Sequence, residues 1–538
     1  MREPHSTGLP AGTSASAGLS RRGLLAGSGA VAAVAATGLA AAPAEAASSS
    51  VPGGSGRVRT TRTAARGRER ATGARRQTKI GMGYQTWFMP GVSQWQTPEA
   101  TPVLGHYNSL DEKVIKQHAE WLNWAGMDYL LLDWSNNLGG NWTNDTAAQI
   151  IKGTDALLAV YAKLRKRPQV TLLLGMDDGK AGTPHFLEQI EEVKKRIAKY
   201  PDLWLQHEGK PLLSVFTGAS VNMPPDWHDD AFTLRWQGAF REIVLNPGGQ
   251  WSWKDRTTFA NGPEKVVADF RFGGDTLDGW KVEGPWKIDK VPTGPSFDNQ
   301  VEVRCVSIRP AEGEDQAKGR LTSPPFTITE PVVAFNAIGT DMAAYDKIPS
   351  LDGRNVFLLS DATTGEVLRH ASPPGEPTGF HVRQWNVRDL KGRKVVFEIV
   401  NNNDFPANLG WTGVDRVFQQ RAEQIVVVPA SAGNHGPGSY DTWDADSREH
   451  GATYLSQFTG AFDWEPEFLQ ITAWNEFGAP DQFSVSASND IEPTKVTKLK
   501  GKASDGWGYY YLDLTRDLVD QYRAGAEFPD VRLDVRYP

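Results

Sequence analysis

The sequence predicts an α/β protein: a (β/α)8 TIM barrel interrupted, between its sixth and seventh strands, by an all-β sandwich. From Ile80 onward, short apolar segments alternate with amphipathic helical segments, a pattern typical of a parallel sheet. Eight such repeats over this length indicate a closed barrel. Between about Val266 and Val417 the pattern changes to period-two strands and Gly/Pro/Asp/Asn-rich turns, which indicates a separate all-β unit.

The predicted barrel strands are short and mostly apolar. Parallel strands covered on both faces read as continuous apolar runs, as in the second predicted strand. In chain order they are Lys79–Gln85, Met127–Trp134, Val170–Met176, Leu212–Phe216, Phe232–Trp236, Trp251–Trp253, Ile425–Pro429 and Phe468–Trp474.

Two helices are predicted from their apolar spacing. The first follows Ser109-Leu110-Asp111-Glu112, a capping-box pattern in which the Ser109 hydroxyl caps a free amide and Glu112 reaches back. A second helix is expected near Leu512–Tyr522. The apolar face of the first helix is formed by Val114, Ile115, His118, Leu122 and Ala125.

The inserted segment predicts a sandwich of about 150 residues. It resembles the jelly-roll modules that accompany many polysaccharide-degrading enzymes, which share an opening like Asp269-Phe270 to Gly279-Trp280, a strand like Gly319–Phe326 and a closing Gly410–Val417. Val395–Val400 reads as a further strand. The predicted divisions are a signal at 1–46, a linker at 47–78, barrel segments at 79–265 and 419–538, and the insert at 266–418.

The N-terminus predicts export. Ser20-Arg21-Arg22-Gly23-Leu24-Leu25 precedes an Ala/Gly-rich apolar stretch, and Ala44-Glu45-Ala46 fits signal-peptidase cleavage. The paired arginines are typical of a twin-arginine signal, which makes the protein secreted. A membrane anchor is the alternative, but Gly and Ala dominate a stretch barely long enough to span a bilayer.

The arginine-rich linker raises the question of a nucleic-acid partner. The whole chain carries −7, whereas residues 1–79 hold twelve basic and three acidic side chains, so the remainder carries −16. An acidic body repels polyanions, which argues against nucleic acid. The linker is therefore predicted to be disordered and to associate with the anionic cell wall or to act as a spacer. A monomer is expected.

The strand ends carry the candidate chemistry, because reacting groups of such barrels sit at the carboxyl ends of strands. The last strand ends in Asn475-Glu476, the second in Asp133-Trp134, and the third in Asp177-Asp178. Glu476, Asp133 and Asp177 are the predicted catalytic carboxyls, since glycoside cleavage needs such groups on either side of the bond. The alternatives are a helix-capping or surface role for Glu476 and capping of the next helix for Asp133. One of the adjacent Asp177 and Asp178 is a turn or capping residue, because both cannot point into the site.

Aromatic and polar residues near strand ends are predicted to bind substrate, because indole stacks on the apolar face of a sugar ring. The predicted binding residues are Tyr84, Trp87, Trp134, Arg235, Trp251, Trp253, Asn475 and Glu492. Glu492 alternatively holds the rim together.

Other chemistries lack their motifs. The sequence has no His-Glu-x-x-His pattern, no histidine cluster with metal spacing, no Gly-rich phosphate loop after a strand and no Gly-x-Ser-x-Gly elbow. The single cysteine, Cys305, excludes internal disulfides and reads as a buried strand residue. No cofactor is expected. Asp441, Asp444 and Asp446 allow a structural calcium ion, with a solvated loop as the alternative.

Two groups of motifs resemble glycoside hydrolase family 99 and the related WbsX-type proteins. The opening is Gly105-His106-Tyr107-Asn108-Ser109 followed by the segment to Leu132-Asp133-Trp134, with Gly209-Lys210-Pro211 before the fourth strand. The closing part is Ile471 to Phe477, then Ile491-Glu492-Pro493 and Gly508 to Leu512. The resemblance covers the barrel, about 300 residues, and not the insert.

This resemblance implies a retaining, endo-acting α-mannosidase on a (β/α)8 barrel with two glutamates three residues apart. Glu476 matches the first, but the second falls on Ala479, which has no carboxyl. Mechanism and mannan specificity therefore do not transfer. Either another carboxylate (Asp481, Glu492, Asp133 or Asp177) takes over the proton-transfer role, or the reaction differs. Two further alternatives are an enzyme related to the α-glucanases with altered residues and a protein that binds carbohydrate without cleaving it.

Overall fold

The structure is a computed structural model of the 538-residue chain. It describes residues 77–89, 95, 100–135, 145–175, 184–216, 227–238, 250–253, 259–271, 276–291, 303–309, 317–340, 354–402, 410–429, 451–476, 490–499, 502–529 and 537. The predicted signal, nearly all of the predicted linker, Asp177, Ala479, Asp481 and the three candidate calcium ligands lie outside these ranges.

Barrel, insert and second barrel segment follow one another along the chain. The first segment forms β1 (Lys79–Tyr84), β2 (Ala100–Pro102), α1 (Glu112–Trp124), β3 (Tyr129–Trp134), α2 (Asp145–Tyr161), β4 (Gln169–Leu174), α3 (Pro184–Lys199), β5 (Gln206–His207), β6 (Lys210–Phe216), β7 (Thr233–Gly238), β8 (Gln250–Ser252) and β9 (Ala260–Asn261). The insert forms β10 (Glu264–Asp269), β11 (Lys281–Glu283), β12 (Lys287–Val291), β13 (Val303–Ser307), β14 (Gly319–Thr322), β15 (Phe326–Thr327), β16 (Val332–Gly339), β17 (Val356–Asp361), β18 (Val367–Ala371), β19 (Glu376–Asn386), β20 (Lys394–Asn401) and β21 (Thr412–Gln420). The second barrel segment forms β22 (Gln424–Val427), α4 (Ala452–Phe462), β23 (Phe468–Ile471), β24 (Thr494–Leu499), β25 (Lys502–Gly508) and α5 (Tyr510–Arg523). Short 3-10 helices cover Pro201–Leu203 and Arg388–Leu390.

Eight parallel strands form a nearly closed barrel, and each coincides with one of the eight predicted segments. Their order is β8-β7-β6-β4-β3-β1-β23-β22. Every neighbouring pair in this order is parallel. The prediction of a barrel is confirmed to the extent of this nearly closed, barrel-like sheet. Outside it, β2, β24 and β25 make a small antiparallel sheet, which the sequence did not reveal.

The seam between β8 and β22 is closed by a side chain. Gln424 of β22 accepts a hydrogen bond from the backbone N of Ser252 at 3.0 Å and donates from Nε2 to the Ser252 carbonyl at 3.1 Å. On the same edge, β9 pairs antiparallel with β22, with Asn261 opposite Gln424. The insert follows β9, so it enters the barrel at this seam.

Two glycines of β1 let large rings fill the barrel interior. A Cβ on Gly81 would lie 2.1 Å from the Tyr129 ring, and a Cβ on Gly83 would lie 2.5 Å from Cη2 of Trp253. The interior also holds Leu131, and all three of these side chains are buried. The barrel is therefore packed through its middle, which leaves its carboxyl end as the place for a site.

Helices α1 and α2 cover the barrel beside β1 and β3. Gly153 of α2 allows the closest approach, because a Cβ there would lie 2.0 Å from the Thr86 carbonyl oxygen. The predicted apolar face of α1 is buried. The predicted capping box is wrong: Asp111 is the N-cap, accepting from the Lys113 N–H at 2.8 Å. Ser109 instead accepts from the Phe88 N–H at 3.1 Å and ties the loop to the barrel rim.

The insert contains two antiparallel sheets packed on one core. One has the order β12-β13-β21-β16-β19 with β10 beside β21, and the other has the order β11-β14-β20-β17-β18 with β15 beside β20. Phe335 of the first sheet lies 4.9 Å, between ring centroids, from both Phe357 and Phe397 of the second. This contact places the hydrophobic core between the sheets. The insert begins with β10 at Glu264 and ends with β21 at Gln420, and these two residues lie opposite each other in the antiparallel pair.

Buried polar groups lie on β13 and β21 of the insert. Cys305 is fully buried, and burial raises the pKa of its thiol. Burial also raises the pKa of Asp415 to about 7, against the opposing charge of Arg271. None of the helices within the described ranges is both long and apolar enough to cross a membrane.

Candidate active site at the carboxyl end of the barrel

Two carboxylates stand at the carboxyl end of the barrel. Asp133 is the fifth residue of β3, is fully buried and accepts a hydrogen bond from the Ser135 N–H at 2.9 Å. Its neighbours Leu132 and Trp134 pack in the layer shared with the helices, so Asp133 faces the barrel interior. Glu476 follows β23, the strand on the other side of β1, and is half-buried.

The end of β1 adds one polar group, Gln85, that the sequence analysis did not assign to the site. Tyr84 faces α1, and Thr86 donates to the Ile150 carbonyl of α2 at 3.0 Å. Because side chains alternate along an extended segment, Gln85 faces the interior between them. Gln85 is fully buried, and its amide Nε2 and Oε1 have no partner among the described residues. The indole N–H of the buried Trp87 likewise has no partner in these ranges.

Asn475 clamps the backbone at Gln85. Its Oδ1 accepts from the Gln85 N–H at 2.9 Å, and its Nδ2 donates to the Gln85 carbonyl at 3.0 Å. The same Nδ2 donates to the Tyr107 hydroxyl at 2.9 Å. The predicted binding residue Asn475 thus uses its amide within the protein, joining β1 to the segment that carries Glu476.

Behind this clamp lies a buried chain of hydrogen bonds. Tyr107 donates to Glu492 Oε2 at 2.9 Å, and His118 Nε2 lies 3.1 Å from Glu492 Oε1. His118 Nδ1 lies 2.8 Å from the Tyr84 hydroxyl. A neutral imidazole that donates from Nε2 and accepts at Nδ1 satisfies every contact.

The chemistry of this chain favours a supporting role. Burial raises the pKa of Tyr84 and of Tyr107 well above the usual range, and the charge of Glu492 adds to the effect. Both phenols therefore stay protonated and keep donating. Glu492 is 2 % exposed, and its two oxygens are engaged by Tyr107 and His118. The alternative in which Glu492 holds the rim together agrees with this placement.

Trp134 lies on the opposite side of β3 from Asp133. Its indole N–H donates to the Thr154 hydroxyl at 2.8 Å, and the Arg196 guanidinium lies 5.3 Å from its ring centroid. The residue is fully buried between barrel and helices. Trp134 and Tyr84, both predicted to bind substrate, therefore face the helix layer and offer no open surface to a sugar. Their sequence position at a strand end did not reveal which way they point.

Arg235 and Trp251, also predicted to bind substrate, lie toward the amino ends of the strands. Arg235 binds both oxygens of Glu423, which directly precedes β22, with N–O distances of 2.6 Å. Trp251 donates to Glu423 Oε2 at 2.8 Å, and His207 Nε2 lies 2.8 Å from Oε1. Burial alone raises the pKa of Glu423, but the bonds from Arg235 and His207 outweigh it and lower the pKa to about 2. This cluster is remote from the carboxyl end.

Three side chains of this cluster resemble a metal-binding group. Ligand atoms of His207, Glu208 and Glu423 lie within 4.8 Å of one another. The Arg235 guanidinium, however, binds Glu423 and reaches Glu208 Oε2 at 3.3 Å. A cation would compete with this fixed positive charge, so the geometry is that of an ion-pair network.

Trp253 lies next to the end of β8 and is fully buried. Its ring rests against Gly83, across the barrel interior. Gly83 is the inward-facing residue before Gln85 along β1, so Trp253 lies closer than Gln85 to the amino end of the barrel. Trp253 therefore belongs to the floor of the candidate site rather than to its open rim.

Comparisons with known proteins give structural similarity only. No family model and no curated protein matches the chain. The GH99 endo-alpha-mannosidase from Bacteroides thetaiotaomicron is similar at 13% identity and a TM-score of 0.39, covering 83% of this chain and 98% of that chain. Its complex with BIS-TRIS-propane gives 12% identity and a TM-score of 0.38 over the same shares. A carbohydrate-binding module of Cellvibrio mixtus lichenase 5A, bound to cellotriose, covers 29% of this chain and 98% of that chain at 10% identity and a TM-score of 0.19.

Proposed function

We propose that the protein is a glycoside hydrolase. The observation that carries this proposal is the pair of carboxylates, Asp133 and Glu476, at the same end of a parallel barrel on the two strands that flank β1. Hydrolysis of a glycosidic bond needs one carboxyl group to protonate the leaving oxygen and a second to act as nucleophile or base. Packed side chains close the barrel below them, so the reaction takes place at the carboxyl end.

The two carboxylates differ in environment, which suggests a division of roles. Asp133 is fully buried, whereas Glu476 is half-buried. We assign Glu476 as the group nearer to entering substrate and Asp133 as its partner, with Asp177 as a third candidate. The distance between the two carboxyl groups decides the stereochemistry, since about 5 Å goes with retention and about 6.5–9.5 Å with inversion.

The substrate class is an α-linked polysaccharide or oligosaccharide outside the cell. The twin-arginine pattern supports secretion, and the GH99-like motifs support an α-linkage. We further propose that the two-sheet insert is a jelly-roll-like carbohydrate-binding module that holds the polymer near the barrel, and that the basic linker associates with the cell wall.

Reducing-end release tests the proposal. Residues 77–538 are incubated with α-mannans, α-glucans and whole cell-wall polysaccharides, beside the variants Glu476→Gln and Asp133→Asn. Each variant keeps the shape of the side chain and removes its titrating proton. We expect release by the wild type and a loss of about 100-fold or more in each variant. Release that survives in both variants contradicts the assignment.

A non-catalytic carbohydrate-binding protein is the second candidate. Ala479 favours it, because a glutamate stands at this position in the family that the motifs resemble. In that case no polymer releases reducing ends, while one of them still retards the protein in an affinity gel. Retardation that persists in Glu476→Gln and Asp133→Asn supports this alternative.

A further inference from the structure

Gln85 presents a buried amide to which no side chain or backbone group of the described residues is bonded. The side chain is fully buried, and neither Nε2 nor Oε1 has a partner among the described residues. Burying an amide without hydrogen bonds is unfavourable, and most buried polar side chains in proteins are paired. An unpaired amide that faces a candidate active site therefore points to a ligand that completes its hydrogen bonds.

The backbone holds Gln85 in this position. Both its N–H and its carbonyl are bonded to the Asn475 side chain, which in turn is bonded to Tyr107. Tyr107 is anchored on Glu492, and Glu492 on His118 of α1. The residues on either side, Tyr84 and Thr86, are fixed to α1 and α2. The amide thus cannot turn to the helix layer without breaking bonds on both sides.

The position of Gln85 relative to the carboxylates is fixed by the strand register. Tyr84 lies opposite Leu132 in the β1–β3 pair, so the next residues along the two strands are Gln85 and Asp133. On the other side of β1, Asn475 bonds Gln85 and directly precedes Glu476. The amide therefore lies between the two carboxylate-bearing strands.

We infer that the Gln85 amide binds a hydroxyl group, or two vicinal hydroxyl groups, of the sugar ring held between Asp133 and Glu476. An amide offers donors at Nε2 and an acceptor at Oε1, and each sugar hydroxyl both donates and accepts. The clamp of Asn475 and the chain through Tyr107, Glu492 and His118 are positioning groups for this contact. The inference rests on the proposed function and assigns a substrate-binding residue within it.

The test compares Gln85→Met with a matched control, Gln470→Met. Gln470 is also fully buried in the barrel, but its Oε1 accepts from the Tyr129 hydroxyl at 2.9 Å and its Nε2 donates to the Ile471 carbonyl at 3.1 Å. Methionine keeps the length of the side chain and removes the amide. Tm and the KM for the polymer that the wild type degrades are measured for both variants.

We expect Gln85→Met to keep or raise the Tm, because no internal hydrogen bond is lost, and to raise KM or lower kcat/KM by about 10- to 100-fold. We expect Gln470→Met to lower the Tm and to leave KM within about twofold of the wild type. The inference is overturned if Gln85→Met loses as much Tm as the control, or if its kinetics equal those of the wild type.

Failure of the proposed function gives a different result. If the wild type releases no reducing ends, affinity electrophoresis on yeast α-mannan and on dextran replaces the kinetics. Retardation of the wild type that is lost in Gln85→Met, with its Tm retained, supports the inference without hydrolysis. If neither polymer retards the wild type, or both proteins are retarded equally, the inference is overturned as well.

Discussion

The ion-pair network around Glu423 allows a quantitative test of how the barrel is stabilised. Glu423 is fully buried, and its pKa is lowered from 4.5 to about 2 because the bonds from Arg235 and His207 outweigh the effect of burial. Each unit of pKa shift corresponds to about 1.4 kcal/mol of differential stabilisation of the charged form. Ionised Glu423 therefore contributes of the order of 3 kcal/mol to the free energy of unfolding at neutral pH.

The substitution Glu423→Gln removes the charge while keeping the shape. It leaves Arg235 buried without its counter-ion, so we expect the free energy of unfolding at pH 7 to fall by about 3 kcal/mol or more. For a large domain this lowers the Tm by roughly 5–10 °C. The control is Glu467→Gln, because Glu467 pairs with Arg421 near the same end but its side chain is 45% exposed, and we expect a loss of about 1 kcal/mol or less.

The pH dependence separates the charge from other effects of the substitution. Because the pKa of Glu423 is depressed in the folded protein, its contribution is complete above pH 4.5 and is lost as the pH falls toward about 2. The Tm difference between wild type and Glu423→Gln, followed by differential scanning fluorimetry, should therefore be constant from pH 7 to pH 5 and shrink below pH 4.5. A difference that is absent at pH 7, or unchanged by acid, refutes the reasoning.

Three further predictions concern packing and titration. Gly83→Ala places a Cβ 2.5 Å from Cη2 of Trp253, so we expect overpacking to lower stability by about 1–3 kcal/mol, measured by urea unfolding. Because the pKa of Asp415 is raised to about 7 in the folded protein, its carboxyl group lowers the free energy of unfolding progressively as the pH rises from 3.8 to 7. The Tm of Asp415→Asn should therefore exceed that of the wild type by a margin that grows over this interval. The Cys305 thiol, buried and with a raised pKa, should react with a disulfide reagent only as fast as the protein unfolds, and rapid labelling of native protein would contradict its placement.

The sequence was sufficient to predict the barrel strands because each is covered on both faces. Burial on two faces produces continuous apolar runs, as in β3. The short β8 lacks such a run and was recognised only from Trp251 and Trp253, on either side of a serine. The two predicted helices, α1 and α5, followed instead from the helical spacing of their apolar residues. The capping of α1 did not, because Ser109 and Asp111 are both capping residues and only the path of the loop from Phe88 decides between them.

Side-chain direction at the strand ends limited the prediction of the site. Period-two alternation is obscured when both faces are apolar, so nothing in Gly83-Tyr84-Gln85 shows that Tyr84 faces α1 and Gln85 the interior. From the sequence, Arg235 and Trp251 are placed at the carboxyl ends of their strands. The bounds of β7 and β8 are not evident from the sequence, so it does not show that both residues lie toward the amino ends. A signal for their true partner was present, since Glu423 is a charged residue directly before an apolar strand.

The contacts that connect distant parts of the chain were beyond the reach of pattern reasoning. Asn475 and Gln85 are 390 positions apart in the sequence, and His118 and Glu492 are 374 apart. His118 appeared on the apolar face of the predicted helix, where a buried histidine implies a polar partner. That partner, Glu492, is known only from the fold, because the barrel brings the two ends of the chain together.

The side-chain seam bears on how the protein avoids associating with itself. Because β8 and β22 do not pair with each other, the barrel sheet has two strand edges. Exposed edges offer unpaired peptide groups to the strands of other molecules. Here the edge of β22 is occupied by β9, and the peptide groups of Ser252 on β8 are occupied by the Gln424 amide. Losing that amide would remove the partner of the Ser252 N–H at the point where the insert enters, while Gln237 Nε2 would still bond the Ser252 carbonyl at 3.2 Å. Resistance to aggregation through this edge therefore depends on side chains as well as on strand pairing.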